Sequence, residues 1–477
     1  MNLRKLIVVL FTLVFAQVHA ANWHADGTGR YPDTNPPTQW CAVPGSASKN
    51  VIWNRPLPSW TNSSPLIMGD RVFVCGEPTS LICLNLTDGA ILWQREHELI
   101  DTLTANEKAE LAKVREQDGP ILKSIHELIK QRDILEKEVV SADRKKERDE
   151  KILKLRAEVA TIEKQNEAIL KVSRNYTKRM TSSYTHRPEL IGSTGYSTPS
   201  PVGDGKYVYV LYHNGVVAAY DLNGNRKWMR YVGHSTAHYG QIASPVVVGD
   251  RVIVHLTGLT ALNTATGETV WHIDAPRDTG HNTPIQMRIG GTDILVMPYG
   301  EVVSVADGSK CSFNGVPSYK SYWNSPVVEN DTVYFNWHPT TWAGRVSLSP
   351  NGKVKTDVLW KEGIGKGGEI YPSPVVLDGL LYCMLDLGQF IVTEAATGKR
   401  VYEANLGRVG MVYPSLVAVG GHIYAGGDAG TVVVIKAGRE YKEVARNPTE
   451  PFQSTLVFHN NRIYIRTMKG VLCIGEK

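Results

Sequence analysis

Cysteine is scarce in this chain: six in 477 residues, at Cys41, Cys75, Cys83, Cys311, Cys383 and Cys473. None are adjacent and none have C-x-x-C spacing, so the pattern offers no zinc site. Cys75 and Cys83 fall on what should be neighbouring strands. They are open either to a bridge in an oxidising compartment or to burial as small core residues. Excess charge is also lacking. A net charge of +5 over the whole chain gives no basic stripe, so a nucleic-acid partner has no electrostatic footprint. No apolar run reaches the roughly 20 residues that a membrane-spanning helix requires. H-E-x-x-H, G-x-S-x-G, phosphate-loop and EF-hand patterns are absent, which leaves metalloprotease, serine-hydrolase, nucleotide and calcium-loop chemistry without support.

What is present begins at the N-terminus. Arg4 and Lys5 precede an apolar run from Leu6 to Ala16, and Val18-His19-Ala20 places small residues where signal peptidase needs them. Residues 1–20 are therefore expected to be a signal peptide, with the mature chain starting at Ala21 and exported to the periplasm or beyond.

The mature chain repeats itself. SSPLIMGDRVFVCGEPTSLICLNLTDGAILW, Ser63 to Trp93, reads as a Ser-Pro strand, a Gly-Asp turn, two further strands, a turn with glycine and a strand ending in tryptophan. It returns seven times at a spacing of about 40 to 48 residues, one insertion aside. Pro201, Pro245, Pro284, Pro326 and Pro374 mark the same point in the next five copies, with Leu416 and Thr455 in the last two. Gly69-Asp70, Asp204-Gly205, Gly249-Asp250, Gly290-Gly291, Asp378-Gly379, Gly420-Gly421 and Asn460-Asn461 supply the residue types that two-residue hairpins need for positive φ. Four short strands per copy, eight times, predicts an all-β, eight-bladed propeller. The last copy is one strand short, and Val51-Ile52-Trp53 is an orphan strand ahead of the first. The two should close the ring by pairing. Trp93, Trp228, Trp271 and Trp360, with Tyr402 in the sixth copy, are placed to staple neighbouring blades.

One segment breaks the pattern. From Leu99 to Ser173, Glu, Lys, Arg, Leu and Ile dominate. Ile121, Ile125, Leu128, Leu135 and Val139 keep coiled-coil spacing, as do Ile152, Leu155, Val159, Ile162 and Ile169, with Asn166 in the one missing position. Two helices joined near Ser141 to Asp143 should fold back as an antiparallel hairpin, supported by pairs such as Glu147–Lys151, Glu150–Lys154 and Glu167–Lys171. The organisation expected is a signal at 1–20, an N-terminal segment, ring-closing strand and blade 1 at 21–98, the coiled-coil hairpin at 99–173, and blades 2 to 8 at 174–477. The hairpin reads as a docking element for a partner protein.

With the repeats laid out, a family resemblance emerges. ALNTATGETVW, Ala261 to Trp271, resembles the A-L-D-x-x-T-G-x-x-x-W signature of quinoprotein propeller repeats, with Asn263 in place of Asp. NWHADGTGRYPDTNPPTQW and the following VIWNRPLPSWTNSSPLIMGDRVFV look like the start of exported bacterial pyrroloquinoline-quinone (PQQ)-repeat proteins. The resemblance covers nearly all of the mature chain outside the insertion, and it implies the propeller more strongly than any chemistry. One branch of the family, the dehydrogenases, holds PQQ and Ca²⁺ on the axis, often with a vicinal disulfide; this chain has no adjacent cysteines. The other resembles the propeller scaffold of the outer-membrane β-barrel assembly machinery. The expectation is thus a non-catalytic binding or interaction scaffold without cofactor, the alternative being a PQQ/Ca-dependent dehydrogenase of alcohols or sugars.

The innermost strands of a propeller line its axis. Residues just before each Ser-Pro point are therefore the candidates to meet a small planar or sugar ligand: Trp60, Tyr196, His238, Tyr239, His281, Trp323, Glu369 and Tyr371. The same residues could instead plug the channel. His234 and His238 have a spacing that suits a metal only on a helix, and Asp386 and Asp428 sit in equivalent hairpins where turn chemistry accounts for them.

Overall fold

The computed structural model describes residues 20–22, 26–138, 141–171, 194–233, 235, 239–256, 258–274, 281–314, 323–337, 339–364 and 368–476. Most of the expected signal segment, Val139, the end of the inserted segment and His234 lie outside them.

Eight sheets form, each built on four antiparallel strands, two of them extended by a short N-terminal strand, which is the expected eight-bladed propeller. Blade 1 is built from Leu66–Met68, Arg71–Gly76, Ser80–Asn85 and Ile91–Glu96. Its first hairpin turns at Gly69 with φ +62°. The equivalent turns hold Asp378, Asn460 and Asn461 at positive φ, and in blade 5 Asn330 as well. Asn and Asp tolerate this region better than other side chains, which is why the turn types were legible. Ring closure also follows expectation: Val51–Pro56 pairs antiparallel with Gly470–Ile474 as the outer strand of blade 8.

The recurring tryptophan has a specific receptor. Trp228, on the outer strand of blade 2, donates its indole N–H to the Thr264 carbonyl of blade 3 at 2.8 Å. Its ring lies on Gly267, where φ is +69° and a Cβ would come within 2.5 Å of the ring. The glycine of the repeated Thr-Gly turn is thus required twice, by the turn and by the neighbouring blade's indole. Trp53, Trp93, Trp271 and Trp360 make the same contact with Leu86, Leu222, Val305 and Ala395. Tyr402 packs partly buried against the core shared by blades 6 and 7.

The Ser-Pro points form a circle. Each backbone N–H at this position donates to the hydroxyl of the next blade: Ser64 to Ser200, Ser200 to Ser244, Ser244 to Thr283, Thr283 to Ser325, Ser325 to Ser373, Ser373 to Ser415, Ser415 to Thr455, and Thr455 back to Ser64. All eight bonds are 2.9 to 3.1 Å long. The circle corrects the repeat alignment by one residue in blade 8. Thr455 stands where the other blades have serine or threonine, and Leu456, not Thr455, occupies the proline's place.

The N-terminal segment crosses one mouth of the channel. Ala20–Ala21 pairs with the inner strand of blade 1, and Arg30–Tyr31 runs parallel to the inner strand of blade 7. Between them Gly27 touches Ile285 of blade 4, and Arg30 forms an ion pair with Glu329 of blade 5 at 3.1 Å. Farther along, Trp40 is buried against Tyr424 and donates its backbone N–H to Asn447.

Between blades 1 and 2 the chain makes a short 3-10 turn, Leu99–Thr102, and then two helices, α1 (Ala105–Lys137) and α2 (Ala142–Gln165). Thr104 and Glu107 form a capping box that satisfies amide donors at the start of α1. The helices pack on each other, and Arg156 of α2 meets Glu136 of α1 at 2.8 Å. Ile152, Leu155, Val159, Ile162, Asn166 and Ile169 are all half-buried while most of their neighbours are exposed. α1 continues through Pro120. No helix among the described residues is long and apolar enough to cross a membrane.

Cys75 and Cys83 do lie on adjacent strands, but Cys75 stands opposite Leu81 and Cys83 opposite Phe73. Both are free thiols in the core between blades 1 and 2, and burial pushes each thiol up to about 12.

Candidate functional site

Counting back two residues from each hydroxyl of the circle gives a second tier on the same side of the chain: Asn62, Thr198, Ile242, His281, Trp323, Tyr371, Tyr413 and Gln453. All eight line one cavity of about 330 Å³ whose floor is the hydroxyl circle. Thr194, Tyr239 and Asn324 complete the wall. A second cavity, lined by Asp26, Gly27 and the first strands of blades 2 to 4, shares Ser200, Ser244 and Thr283. The circle therefore separates an upper pocket from a lower one covered by the N-terminal segment.

The upper tier is lopsided. Blades 4 to 7 contribute His281, Trp323, Tyr371 and Tyr413, whereas blades 8, 1 and 2 contribute Gln453, Asn62 and Thr198. The rings touch in sequence: His281–Trp323 centroids are 4.8 Å apart, Trp323–Tyr371 6.1 Å and Tyr371–Tyr413 5.2 Å. Tyr239 stands 5.2 Å from Trp323, inclined 65° to it. Tyr239 and Tyr413 are exposed and form the rim, while His281 is buried. Burial, with neighbouring tyrosines and carboxylates, holds the Tyr371 and Tyr413 phenols above their ordinary range, so both are neutral hydroxyls at physiological pH. The described lining contains no Asp, Glu, Lys or Arg.

Of the sequence candidates, the structure brings Tyr239, His281, Trp323 and Tyr371 together. Trp60, Tyr196 and Glu369 stand two residues farther back and do not line the cavity. Their carbonyls accept from Glu77, His213 and Asp386 in the hairpin of their own blade, which draws the chain away from the axis. His238 lies outside the described residues. Tyr413, Asn62, Thr198 and Gln453 were missed, although a step of two from each Ser or Thr would have found them. Asp428 acts as a turn anchor, its carboxylate accepting the Met411 amide at 2.8 Å, whereas Asp386 contributes its backbone amide, which donates to the Glu369 carbonyl.

The side of the pocket nearest the insertion is positioned by Glu77. Its carboxylate accepts the backbone N–H groups of Tyr196 and Ser197 at 2.8 to 3.0 Å and the Ser197 hydroxyl. This fixes the chain where it returns from the insertion and so sets Thr194 and Thr198 against the cavity. Burial raises the Glu77 carboxyl above its ordinary value, opposed by these donors. Arg466, also buried, ties the blade 8 hairpin to the entry of blade 1 by donating to the carbonyls of Thr467, Gly470 and Ser59. Burial lowers its pKa to about 10.

Eight four-stranded blades, an inter-blade tryptophan docked on a glycine turn and an axial pocket define a PQQ-like β-propeller of the quinoprotein type. The chain belongs to the family described as outer membrane protein assembly factor BamB, whose model matches residues 43–126 and 185–341. No curated protein matches it. Among solved structures, BamB from Moraxella catarrhalis is 17% identical over 57% of this chain and 82% of its own, with a TM-score of 0.45. The computationally designed Ika8 protein is 10% identical over 90% and 100%, with a TM-score of 0.51, and a europium-containing methanol dehydrogenase is 11% identical over 94% and 90%, with a TM-score of 0.46.

Proposed function

We propose that the chain is an exported, non-catalytic binding scaffold. The propeller presents the axial pocket, and the inserted helices, paired as an antiparallel coiled-coil hairpin, dock a partner protein. The observation that carries the reading is the chemistry of the pocket wall. Aromatic rings, amides and hydroxyls converge there, groups suited to holding a ligand, and the described lining places no carboxylate or amine among them. The insertion leaves from the loops that build this pocket and exposes Leu122, Ile134 and Leu153, so a docked partner would stand beside the pocket mouth. Separate roles for propeller and insertion follow the division at residues 99 and 173.

The PQQ/Ca²⁺ alternative makes different demands on the same wall. PQQ is a planar polycarboxylate that needs cationic partners, and its Ca²⁺ needs carboxylate oxygens. The described lining supplies neither, so the described residues do not fit that pair. Titrating the purified protein with PQQ and Ca²⁺, while following absorbance and dye-coupled oxidation of alcohols and aldoses, tests the reading. The expected result is neither stoichiometric binding nor turnover; both together would replace the scaffold with a dehydrogenase.

A further inference from the structure

We propose that the upper axial pocket binds an uncharged sugar ring, such as the terminal hexose of a neutral glycan. The assignment rests on the binding-scaffold reading and names its ligand class. Three features of the wall point to this chemistry.

The first is the division into two arcs. A pyranose has one face of C–H groups and a perimeter of hydroxyls, so it is matched by aromatic rings on one side and amides and hydroxyls on the other. Trp323, Tyr371 and Tyr413 supply the first, Asn62, Thr198 and Gln453 the second. Beneath them, the serine oxygens of the circle each accept a neighbouring amide proton. A hydroxyl used in this way still has its own proton to donate, so the floor can give hydrogen bonds to sugar oxygens.

The second is the relative tilt of the rings. Trp323 is inclined 65° to Tyr239 and 67° to Tyr371. The wall is therefore faceted. A flat polycyclic ligand gains most from a slot with parallel faces, whereas a chair-shaped ring presents C–H groups in several directions and suits a curved wall.

The third is the absence of fixed charge from the described lining. Acidic sugars would lose hydration with no cation among the described lining residues to replace it, and the carboxylates near Tyr371 and Tyr413 would repel them. Neutral sugars lose only hydroxyl–water bonds, which the polar arc can replace. The volume, about 330 Å³, suits one ring or two.

The test uses the full-length mature protein, with maltose, cellobiose, lactose and methyl glucoside as neutral probes and sodium glucuronate as the charged one, read by tryptophan fluorescence and calorimetry. At least one neutral sugar is expected to bind, with glucuronate weaker by about tenfold or more. Trp323→Ala should weaken the neutral sugar by at least about tenfold and Gln453→Ala by roughly threefold to tenfold, while Trp323→Phe keeps most of the affinity. Near-UV circular dichroism confirms the fold of each variant, and Tyr402→Phe, on an outer strand, should bind as the parent does. Lack of response to every neutral sugar at about 50 mM, far above the range expected of a specific site, overturns the assignment. So does glucuronate binding as tightly as a neutral sugar, or binding that survives Trp323→Ala. A sugar-negative protein that also ignores PQQ and Ca²⁺ loses only the ligand assignment, whereas PQQ-dependent sugar oxidation overturns the scaffold itself.

Discussion

The propeller and the helical insertion are stabilised in different ways. In the ring, every blade buries both faces against neighbours, and the same bonds recur around the circle: an indole N–H on a carbonyl, a backbone amide on a hydroxyl. In the insertion, the seam of α2 is only half-buried, and polar ends are met by a capping box and surface ion pairs such as Lys151–Glu147 at 2.8 Å. The lesson is that cooperativity should be high in the first region and weak in the second. A defect at one blade junction is felt by the closed ring, whereas a defect in the helices stays local.

The largest effect should come from Gly267→Val. It puts a β-branched side chain at φ +69° and into the Trp228 ring, and should destabilise the propeller by about 4 kcal/mol or more, read as a lowered guanidinium midpoint. A change under about 1 kcal/mol would mean that the indole seam is not what holds the blades together.

Acid should act on a comparable scale. His97 and His255 are buried, and burial lowers each imidazole to about 4 from its ordinary 6.5. Above pH 6.5 both states are neutral there. As pH falls towards 4 the unfolded chain takes protons first, so the two histidines together should remove on the order of 5 kcal/mol. Glu77 works the other way: its raised pKa favours the fold at low pH, and that contribution fades as pH rises through its folded value. Thermal unfolding from pH 7 to 4 should show the net loss, and His97→Asn should flatten the curve.

Glu77→Ala leaves the Tyr196 and Ser197 amides without their acceptor and should cost about 3 kcal/mol. Because Thr194 and Thr198 follow from that anchor, any ligand of the upper pocket should also bind more weakly.

The smallest effect on the ring should come from the insertion. Replacing residues 105–170 with a short Gly-Ser linker should remove the helical circular-dichroism signal and move the propeller's stability by about 1 kcal/mol or less. Collapse of the propeller in this variant would show that the helices belong to the ring's folding unit. Within the insertion, Arg156→Ala, which breaks an exposed pair with Glu136, should cost less than about 1 kcal/mol of helix stability.

Much of this contrast was legible in the residues. The two-residue turns, the glycine turn before the tryptophan of a repeat and the change to a three-four apolar step after Leu99 are local signals with local causes. The pocket was legible only by halves. Tyr239, His281, Trp323 and Tyr371 could be picked out as aromatics near the axis. Tyr413 belonged to the same set, but blade 7 lacks the proline that marked the others. Trp60, Tyr196 and Glu369 were misleading because the hairpin that captures their carbonyls is a tertiary contact.

The sequence by itself determined the blade count, the closing strand and the place of the insertion, because these follow from turn chemistry and from alternation along a strand, which act over a few residues. Only the tertiary structure decided that eight hydroxyls join in one circle, that a pocket whose described lining carries no Asp, Glu, Lys or Arg lies above it with aromatics along one side, and that the N-terminal segment runs beneath from blade 1 to blade 7. Those depend on which blades stand opposite one another across the axis. That relation is set by closure of the ring and by no single stretch of the chain.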